Sequence, residues 1–133
     1  LGEDMNLFQL GDFISHAGLP LKWKLECDAI KDNEWDCVAK MIMDYQKEPF
    51  YEAVGIPRGG VKMANALQKY ASGDPSHFTL ICDDVFTTGT SFKNFISENY
   101  PTWTSAMGYR WVLFARKKSN IHPHHVNALF TMP

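Results

Sequence analysis

Apolar residues follow two different periods along this chain, one typical of helices and one typical of strands. The clearest helical stretch is residues 33–46, and Pro49 marks its end. Its apolar positions have the i, i+3, i+4, i+7, i+8 spacing of a helix with one buried face: Trp35, Val38, Ala39, Ile42 and Met43. The pattern therefore predicts an amphipathic helix in the first half of the chain.

Short apolar runs predict strands, and the run at residues 78–82, which has turn residues on both sides, predicts a strand that is buried on both faces. These runs span residues 50–54, 78–82 and 106–115, and the apolar tail 126–132 predicts a final strand. Each of the first two runs is followed by a glycine-containing loop and then by helical spacing. The first of these helices ends near Gly73 and the second before Pro101. Strands alternating with helices imply a parallel sheet with right-handed crossovers.

The amino-terminal part has a weaker pattern. We expect a helical segment at residues 3–10, a turn-rich stretch at residues 11–20 and extended structure at residues 21–27. A chain of 133 residues has room for one compact core. We therefore expect a single domain, residues 1–133, in which residues 31–133 form the core.

Composition narrows the functional classes. Hydrophobic residues make up 45% and charged residues 21%, which is ordinary for a globular protein. The net charge of −2 argues against a nucleic-acid binder, which needs basic excess. No apolar run approaches the roughly 20 residues of a membrane span, and no signal-peptide layout is present, so we expect a cytoplasmic location. Three cysteines without metal-ligand spacing predict reduced thiols packed as small apolar groups: Cys27, Cys37 and Cys82.

An acidic pair and a hydroxyl-rich glycine loop follow the strand predicted at residues 78–82. We expect Asp83 and Asp84 at its carboxyl end, the edge where open α/β sheets bind ligands. A glycine loop that opens a helix offers backbone N–H groups and a positive dipole end to a phosphate. The residues that form this loop are Thr87, Thr88, Gly89, Thr90 and Ser91. The same residue types are common in ordinary turns, so the complete order of the string carries the prediction of a phosphate site.

A second strand–loop–helix unit precedes the first by about thirty residues. Its loop contains Arg58, Gly59 and Gly60. Paired glycines allow the backbone to approach an anion closely, and arginine presents forked donors to phosphate oxygens. Alone, this loop would describe a plain surface turn. Its position upstream of the acidic pair predicts a second phosphate contact in the same site.

These two stretches resemble motifs of the type I phosphoribosyltransferases. Residues 79–91 resemble the signature that binds phosphoribosyl pyrophosphate (PRPP), and residues 54–61 resemble the pyrophosphate loop. The resemblance implies a single-domain α/β fold with a mainly parallel central sheet, flanking helices and a small hood from residues 1–30. It implies Mg²⁺-dependent transfer of the phosphoribosyl group from PRPP to a ring nitrogen of a nucleobase, with release of pyrophosphate. It also implies a homodimer.

The resemblance assigns roles within these motifs. Asp83, Asp84 and Arg58 would be the catalytic residues, and Arg58, Gly59 and Gly60 would bind pyrophosphate. The 5′-phosphate of PRPP would be bound by Thr87, Thr88, Gly89, Thr90 and Ser91. Mg²⁺ would be held mostly by PRPP, with no direct protein ligand or through the two aspartates. Pyrophosphate loops of this family often contain a cis peptide before the residue that matches Arg58, which predicts a cis Pro57–Arg58 bond.

Four positions bear on the identity of the base: His16, Lys24, Thr87 and Arg116. Residues 10–18 and Trp23–Lys24 are similar to the opening segment of orotate phosphoribosyltransferases, which implies base contacts from His16 and Lys24; the family usually has lysine where His16 stands. Arg116 closes a predicted strand, as does an arginine that faces the base carboxylate in orotate enzymes. Thr87 also matches the orotate type, whereas purine enzymes typically have aspartate at that position.

Two alternatives remain open. The Arg58–Gly59–Gly60 string and the Phe114–Ala115–Arg116 string are similar to xanthine–guanine phosphoribosyltransferases. Orotate enzymes also carry a long mobile loop with a catalytic lysine between the pyrophosphate-loop helix and the PRPP strand. Here only residues 72–77 join these elements, and Lys69 cannot be matched to that lysine. A PRPP-binding regulatory protein without turnover is therefore the alternative from another class.

Overall fold

The computed structural model describes residues 8–14, 20–25, 27–86, 89–104, 107–116 and 126–132, and the first two strands by their backbone alone. Its strands are β1 Phe8–Ile14, β2 Pro20–Leu25, β3 Ala53–Gly55, β4 Leu80–Phe86, β5 Tyr109–Arg116 and β6 Asn127–Met132. Its α-helices are α1 Asp32–Tyr45, α2 Val61–Leu67 and α3 Thr90–Asn99. Short 3-10 helices lie at Cys27–Ala29 and Gln68–Tyr70.

A parallel sheet with the strand order β3-β4-β5-β6 is the centre of the molecule. Residues that follow each other in a strand point to opposite faces, so Cys82 and Ile81 of β4 lie on different sides. Cys82 packs in a core cluster with α1 and α2, and Ile81 packs in a second cluster with Phe92 of α3. The result is three layers, helix–sheet–helix, which confirms the predicted α/β class.

The two crossovers between β3, β4 and β5 have opposite hands. Both connections move one strand in the same direction across the sheet, but α2 packs on one face and α3 on the other. The expectation that all crossovers are right-handed is therefore wrong for one of them. Burial explains the placement of α2, because Met63 and Leu67 are fully enclosed in the cluster that also contains α1.

The amino-terminal segment differs from its prediction. Strands β1 and β2 pair antiparallel in a sheet of their own. The helix predicted at residues 3–10 is wrong for residues 8–10, and the turn-rich stretch predicted at residues 11–20 is wrong for residues 11–14 and for Pro20, where β2 begins. The register shifts between Leu10 and Phe13, so the turn-forming pair Gly11–Asp12 lies within a strand irregularity, where glycine is also common. The extended structure predicted from residue 21 is confirmed through Leu25.

Helix α1 agrees with its prediction to within one residue at each end. Near its start the backbone N–H of Lys31 donates to Oε1 of Glu34 at 2.8 Å. Trp35, Ala39 and Ile42 are its buried residues. None of the described helices is long and apolar enough to cross a membrane. The thiols of Cys27 and Cys82 are buried as expected, but Cys37 is exposed on α1, outside the buried face of the helix.

Candidate functional site

Asp83 and Asp84 lie inside a strand, not after it. The expected strand end at Cys82 is wrong, because β4 continues to Phe86, which pairs with Ala115 of β5. On the other side of β4, pairing with β3 stops at Gly55 and Cys82. A loop takes the place of β3 beyond that point. The acidic pair is therefore held by β5 on one side and faces this loop on the other.

This loop, residues 56–60, is called the Arg58 loop below. Its two ends are bonded to each other, since the N–H of Gly60 donates to the carbonyl oxygen of Ile56 at 2.9 Å. The Pro57–Arg58 peptide is cis, which confirms the prediction from the family resemblance. Arg58 is exposed. The carbonyl of Gly60 accepts the N–H of Ala64 at 3.0 Å, and α2 begins directly afterwards.

The Arg58 loop and the acidic pair touch each other at Gly59. A Cβ atom added to Gly59 would lie 2.7 Å from Cγ of Asp84, so the loop approaches this carboxylate closely and a side chain here would displace it. Oδ1 of Asp84 accepts the N–H of Val85 at 2.8 Å, which orients the carboxylate. The two sequence motifs, about thirty residues apart, therefore form one site at the carboxyl edge of the sheet.

The two aspartates have different environments. The residue exposure of Asp83 is 7%, and its Oδ1 accepts the N–H of Asp84 at 2.8 Å. Burial, and then the negative charge of Asp84, raise the pKa of Asp83 to about 8. Asp84 is half-buried. Burial therefore favours the protonated form of Asp83, and a cation placed beside the pair would favour its ionised form.

The hydroxyl-rich loop opens α3 as predicted. Gly89 has a φ of 84°, a left-handed conformation that favours glycine, and its carbonyl accepts the N–H of Lys93 at 3.0 Å. Thr90 and Ser91 are exposed in the first turn of the helix, the end at which a helix favours anions. Thr87 and Thr88 lie outside the described residues. The described part of the loop is open to a ligand.

The structure describes two of the three candidate base contacts, Arg116 and the backbone of Lys24. Arg116 is the last residue of β5 and pairs with Met132 of β6, at the same carboxyl edge as the acidic pair; burial lowers the pKa of its guanidinium. Lys24 pairs with Gln9 in the separate sheet of β1 and β2. His16 lies outside the described residues. The predicted position of Arg116 at this edge is thus confirmed, while the contacts from His16 and Lys24 stay predictions.

The short connection 72–77 lies at the opposite edge of the sheet. The N–H groups of Ser72 and Gly73 donate to carbonyl oxygens just before β3, at 2.8 and 3.1 Å. Within the connection, Oγ of Ser72 lies 2.7 Å from Nδ1 of His77. Nζ of Lys69 lies 3.3 Å from Oδ1 of Asp36 on α1. These contacts hold the connection and Lys69 away from the acidic pair.

The donor atoms of the site suit a hard cation that other ligands hold in part. Asp83 and Asp84 offer carboxylate oxygens, the type of ligand that Mg²⁺ prefers. Among the described residues there is no group of three or more His, Cys, Asp or Glu side chains that could hold a metal. The two carboxylates by themselves fit part of a Mg²⁺ coordination shell.

Sequence reasoning missed one residue of this site. Cys82 was expected to be a small apolar filler, but its sulfur lies 3.6 Å from the carbonyl oxygen of Gly60 in the Arg58 loop. The only sequence signal is its place directly before the acidic pair.

Comparison with known proteins assigns the fold. No protein-family model matches the chain, and no curated protein sequence matches it. The structure is similar to orotate phosphoribosyltransferase from Aeropyrum pernix, with a TM-score of 0.71, 16% identity, and coverage of 94% of this chain and 88% of that one. It is also similar to UMP synthase from Leishmania donovani, with a TM-score of 0.70, 14% identity, and coverage of 94% of this chain and 33% of that one.

A third similar structure is orotate phosphoribosyltransferase from Mycobacterium tuberculosis H37Rv in complex with Fe(III) dicitrate. Its TM-score is 0.67 and its identity 11%, and the match covers 94% of this chain and 89% of that one. At these identities the comparison establishes the fold. The chain has the type I phosphoribosyltransferase fold, as the motifs predicted.

Proposed function

We propose that this protein transfers the 5-phosphoribosyl group of PRPP to a ring nitrogen of a nucleobase, with release of pyrophosphate. The observation that carries this proposal is the contact of Gly59 with the Asp84 carboxylate. It joins an arginine–glycine loop suited to a diphosphate to an acidic pair suited to ribose hydroxyls. The open start of α3, suited to a phosphate, lies on the same strand–loop–helix unit as the acidic pair.

The residues of the site match the charges that this reaction develops. Positive charge develops on the ribose ring, and the carboxylates of Asp83 and Asp84 would stabilise it. Negative charge develops on the departing pyrophosphate, and Arg58 with the backbone amides of its loop would stabilise that charge. The first turn of α3 would hold the 5′-phosphate and fix the ribose between the two charged groups. The chain thus acts by positioning and by electrostatic stabilisation.

Mg²⁺ belongs to the proposal. Asp83 and Asp84 would hold it together with substrate oxygens, and when bound it neutralises charge on the pyrophosphate. Burial opposes the ionisation of Asp83, so a cation held by this carboxylate would have to displace its proton. Homodimer formation and a cytoplasmic location are further parts of the proposal that rest on the family resemblance and on composition.

Orotate is the favoured base. Arg116 at the carboxyl end of β5 offers a forked cation, which suits a carboxylate better than a lone carbonyl oxygen. Orotate carries such a carboxylate, whereas xanthine and guanine do not. Thr87 matches the orotate type as well.

Two other functions have specific support. The Arg58–Gly59–Gly60 and Phe114–Ala115–Arg116 strings favour xanthine or guanine as the base. The position of residues 72–77 at the far edge of the sheet favours a PRPP-binding protein without turnover, because that connection is too short and too far away to cover the reacting atoms.

One assay separates the three functions. The chain is incubated with PRPP, Mg²⁺ and one free base at a time, and both pyrophosphate and nucleotide are quantified. Nucleotide formed with orotate supports the proposal, and nucleotide formed only with xanthine or guanine moves the assignment to the purine type. PRPP binding without release of pyrophosphate with any base leaves the regulatory function. An Asp84→Asn variant is the control for contaminating activity.

A further inference from the structure

Cys82 contacts both ends of the Arg58 loop. Its backbone carbonyl oxygen accepts the N–H of Ile56, the first residue of the loop, at 2.9 Å. Its Sγ donates to the carbonyl oxygen of Gly60, the last residue of the loop, at 3.6 Å. Its side chain is fully buried in the core cluster beneath α2. One residue of β4 therefore fixes where the loop leaves the sheet and where it returns.

The packing around these contacts leaves little space. A Cβ atom on Gly60 would overlap the carbonyl oxygen of Cys82 and lie 2.9 Å from the nitrogen of Ile56. The same position would be 3.0 Å from Cα of Asp83. Backbone thus packs directly on backbone between the loop and the strand. A small shift of the loop relative to β4 would change the distance from Arg58 and Gly59 to the acidic pair.

The thiol of Cys82 is placed as a hydrogen-bond donor to the Arg58 loop. The carbonyl of Gly60 already accepts the N–H of Ala64 at 3.0 Å, and the thiol is its second donor. This carbonyl belongs to the residue that caps α2. The thiol therefore connects the loop, the helix and the acidic strand.

We propose that Cys82 is a positioning residue for the pyrophosphate end of the site. Its two hydrogen bonds hold the Arg58 loop in the position where Gly59 contacts Asp84. This inference rests on the proposed function for the identity of the ligand. Cys82 does not touch the ligand itself. Its effect should be specific to groups that bind the Arg58 loop and absent for groups that bind the start of α3.

The test compares two ligands by calorimetry. Cys82→Ala should lower the affinity for pyrophosphate in the presence of Mg²⁺ about fivefold, the factor that corresponds to about 1 kcal/mol for one lost hydrogen bond. The affinity for ribose 5-phosphate, which would contact the first turn of α3 and the acidic pair but not the Arg58 loop, should stay within about twofold of wild type. Cys82→Ser keeps a donor and should recover most of the pyrophosphate affinity. Equal losses for both ligands, or no loss for pyrophosphate, would overturn the inference.

Cys27→Ala is the matched control. Cys27 is also a buried thiol in the same core cluster, but it lies in the 3-10 helix Cys27–Ala29. Its substitution should lower thermal stability to a similar degree and leave pyrophosphate affinity unchanged. A matching loss of pyrophosphate affinity in this variant would assign the effect to general core packing. Should Cys82→Ala fail to fold, Cys82→Val tests the same point, because it fills the space without a donor.

A measurement without ligand separates this inference from the proposed function. If wild type binds neither pyrophosphate nor PRPP, the proposed function fails. Amide hydrogen exchange then decides the role of Cys82. In Cys82→Ala, the N–H groups of Ile56 and Gly60 should exchange about fivefold faster, while those of Leu80 and Ile81 keep their wild-type rates. Unchanged exchange in the loop, or faster exchange throughout β4, would overturn the inference.

Discussion

At the scale of single residues, Asp83 and Asp84 show how neighbours in sequence can differ in chemistry. Both carboxylates accept the backbone N–H of the residue that follows them, at 2.8 Å. Asp83 is buried, whereas Asp84 is half-buried and meets the Arg58 loop. In this pair, burial raises the pKa of Asp83, whereas the carboxylate of Asp84 directly faces the Arg58 loop.

Asp84→Asn should reduce turnover strongly and stability weakly. The substitution removes a negative charge from the place where positive charge develops, and one such electrostatic contact contributes on the order of 10²–10³ in rate. Initial rates of pyrophosphate release measure this effect, and urea unfolding measures stability. Asp83→Asn should change turnover in the same direction. Asp44→Asn, an exposed carboxylate on α1, is the control. Near-wild-type rates in both site variants would contradict the assigned mechanism.

Asp83 should also make stability depend on pH. Its pKa is raised to about 8 when folded and is about 3.9 when unfolded. Between these values the folded chain binds a proton that the unfolded chain releases. The contribution is complete below about pH 4 and is lost as the pH rises through about 8, so the free energy of unfolding should decrease over this range.

Urea unfolding of wild type and Asp83→Asn from about pH 5 to pH 9 tests this expectation. The wild-type free energy of unfolding should fall more steeply than that of the variant, by at most about 1.4 kcal/mol per pH unit. Parallel curves for the two proteins would show that Asp83 is ionised in the folded chain throughout this range.

At the scale of elements, the site is made where two strand–loop–helix units meet. Strand β3 stops at Gly55, so the loop that follows it occupies the free side of β4 next to the acidic pair. The fit depends on residues without side chains. Gly59 lies on the Asp84 carboxylate, and Gly60 lies on the backbone of Cys82. Contact between the two units, more than either unit alone, defines the geometry of the site.

Gly59→Ala should separate activity from stability. The new Cβ would collide with the far end of the Asp84 side chain, which can rotate away at the cost of its bond to Val85, about 1 kcal/mol. We therefore expect a loss of about tenfold or more in kcat/KM for PRPP. Steady-state kinetics and urea unfolding of the same sample measure the two effects.

Gly73→Ala is the matched control for this substitution. Gly73 has a φ of 71° and no atom within 4 Å of the added Cβ, and it lies at the opposite edge of the sheet. It should lose about 1 kcal/mol of stability through backbone conformation alone and keep its activity. Gly59→Ala with wild-type kinetics would show that Asp84 does not need its observed position.

At the scale of the whole molecule, the candidate site and the short connection 72–77 lie at opposite edges of the sheet. The carboxyl edge carries the acidic pair, the Arg58 loop and Arg116, and the amino edge carries the connection 72–77. Strand β4 separates these edges by about 13 Å between Leu80 and Asp84, at about 3.3 Å per residue. The connection therefore links α2 to β4 and lies away from the acidic pair.

His77→Ala should leave activity intact. The substitution removes the contact between Nδ1 of His77 and Oγ of Ser72, which lies at the amino edge. We expect kcat/KM for PRPP within about twofold of wild type and a stability loss of at most about 1 kcal/mol for an exposed hydrogen bond. A tenfold or larger loss of kcat/KM would show that this connection reaches the reacting atoms.

Local patterns of the sequence determined the elements and the residue types of the site. The spacing of Trp35, Ala39 and Ile42 predicted α1, because a helix with one buried face needs that period. The glycine and hydroxyl residues around Gly89 predicted the start of α3, because their backbone and side-chain requirements are local. The order of the two motifs predicted the fold that the comparisons established.

The tertiary structure decided what depends on partners distant in the chain. Pairing with β5 extends β4 through the acidic pair, and pairing with β2 makes residues 8–14 a strand. The burial of Asp83 and the two contacts of Cys82 with the Arg58 loop likewise arise only when β3, β4 and α2 pack together. A sequence pattern records the preferences of each segment, whereas burial, pKa and register are set by the neighbours that folding brings to it.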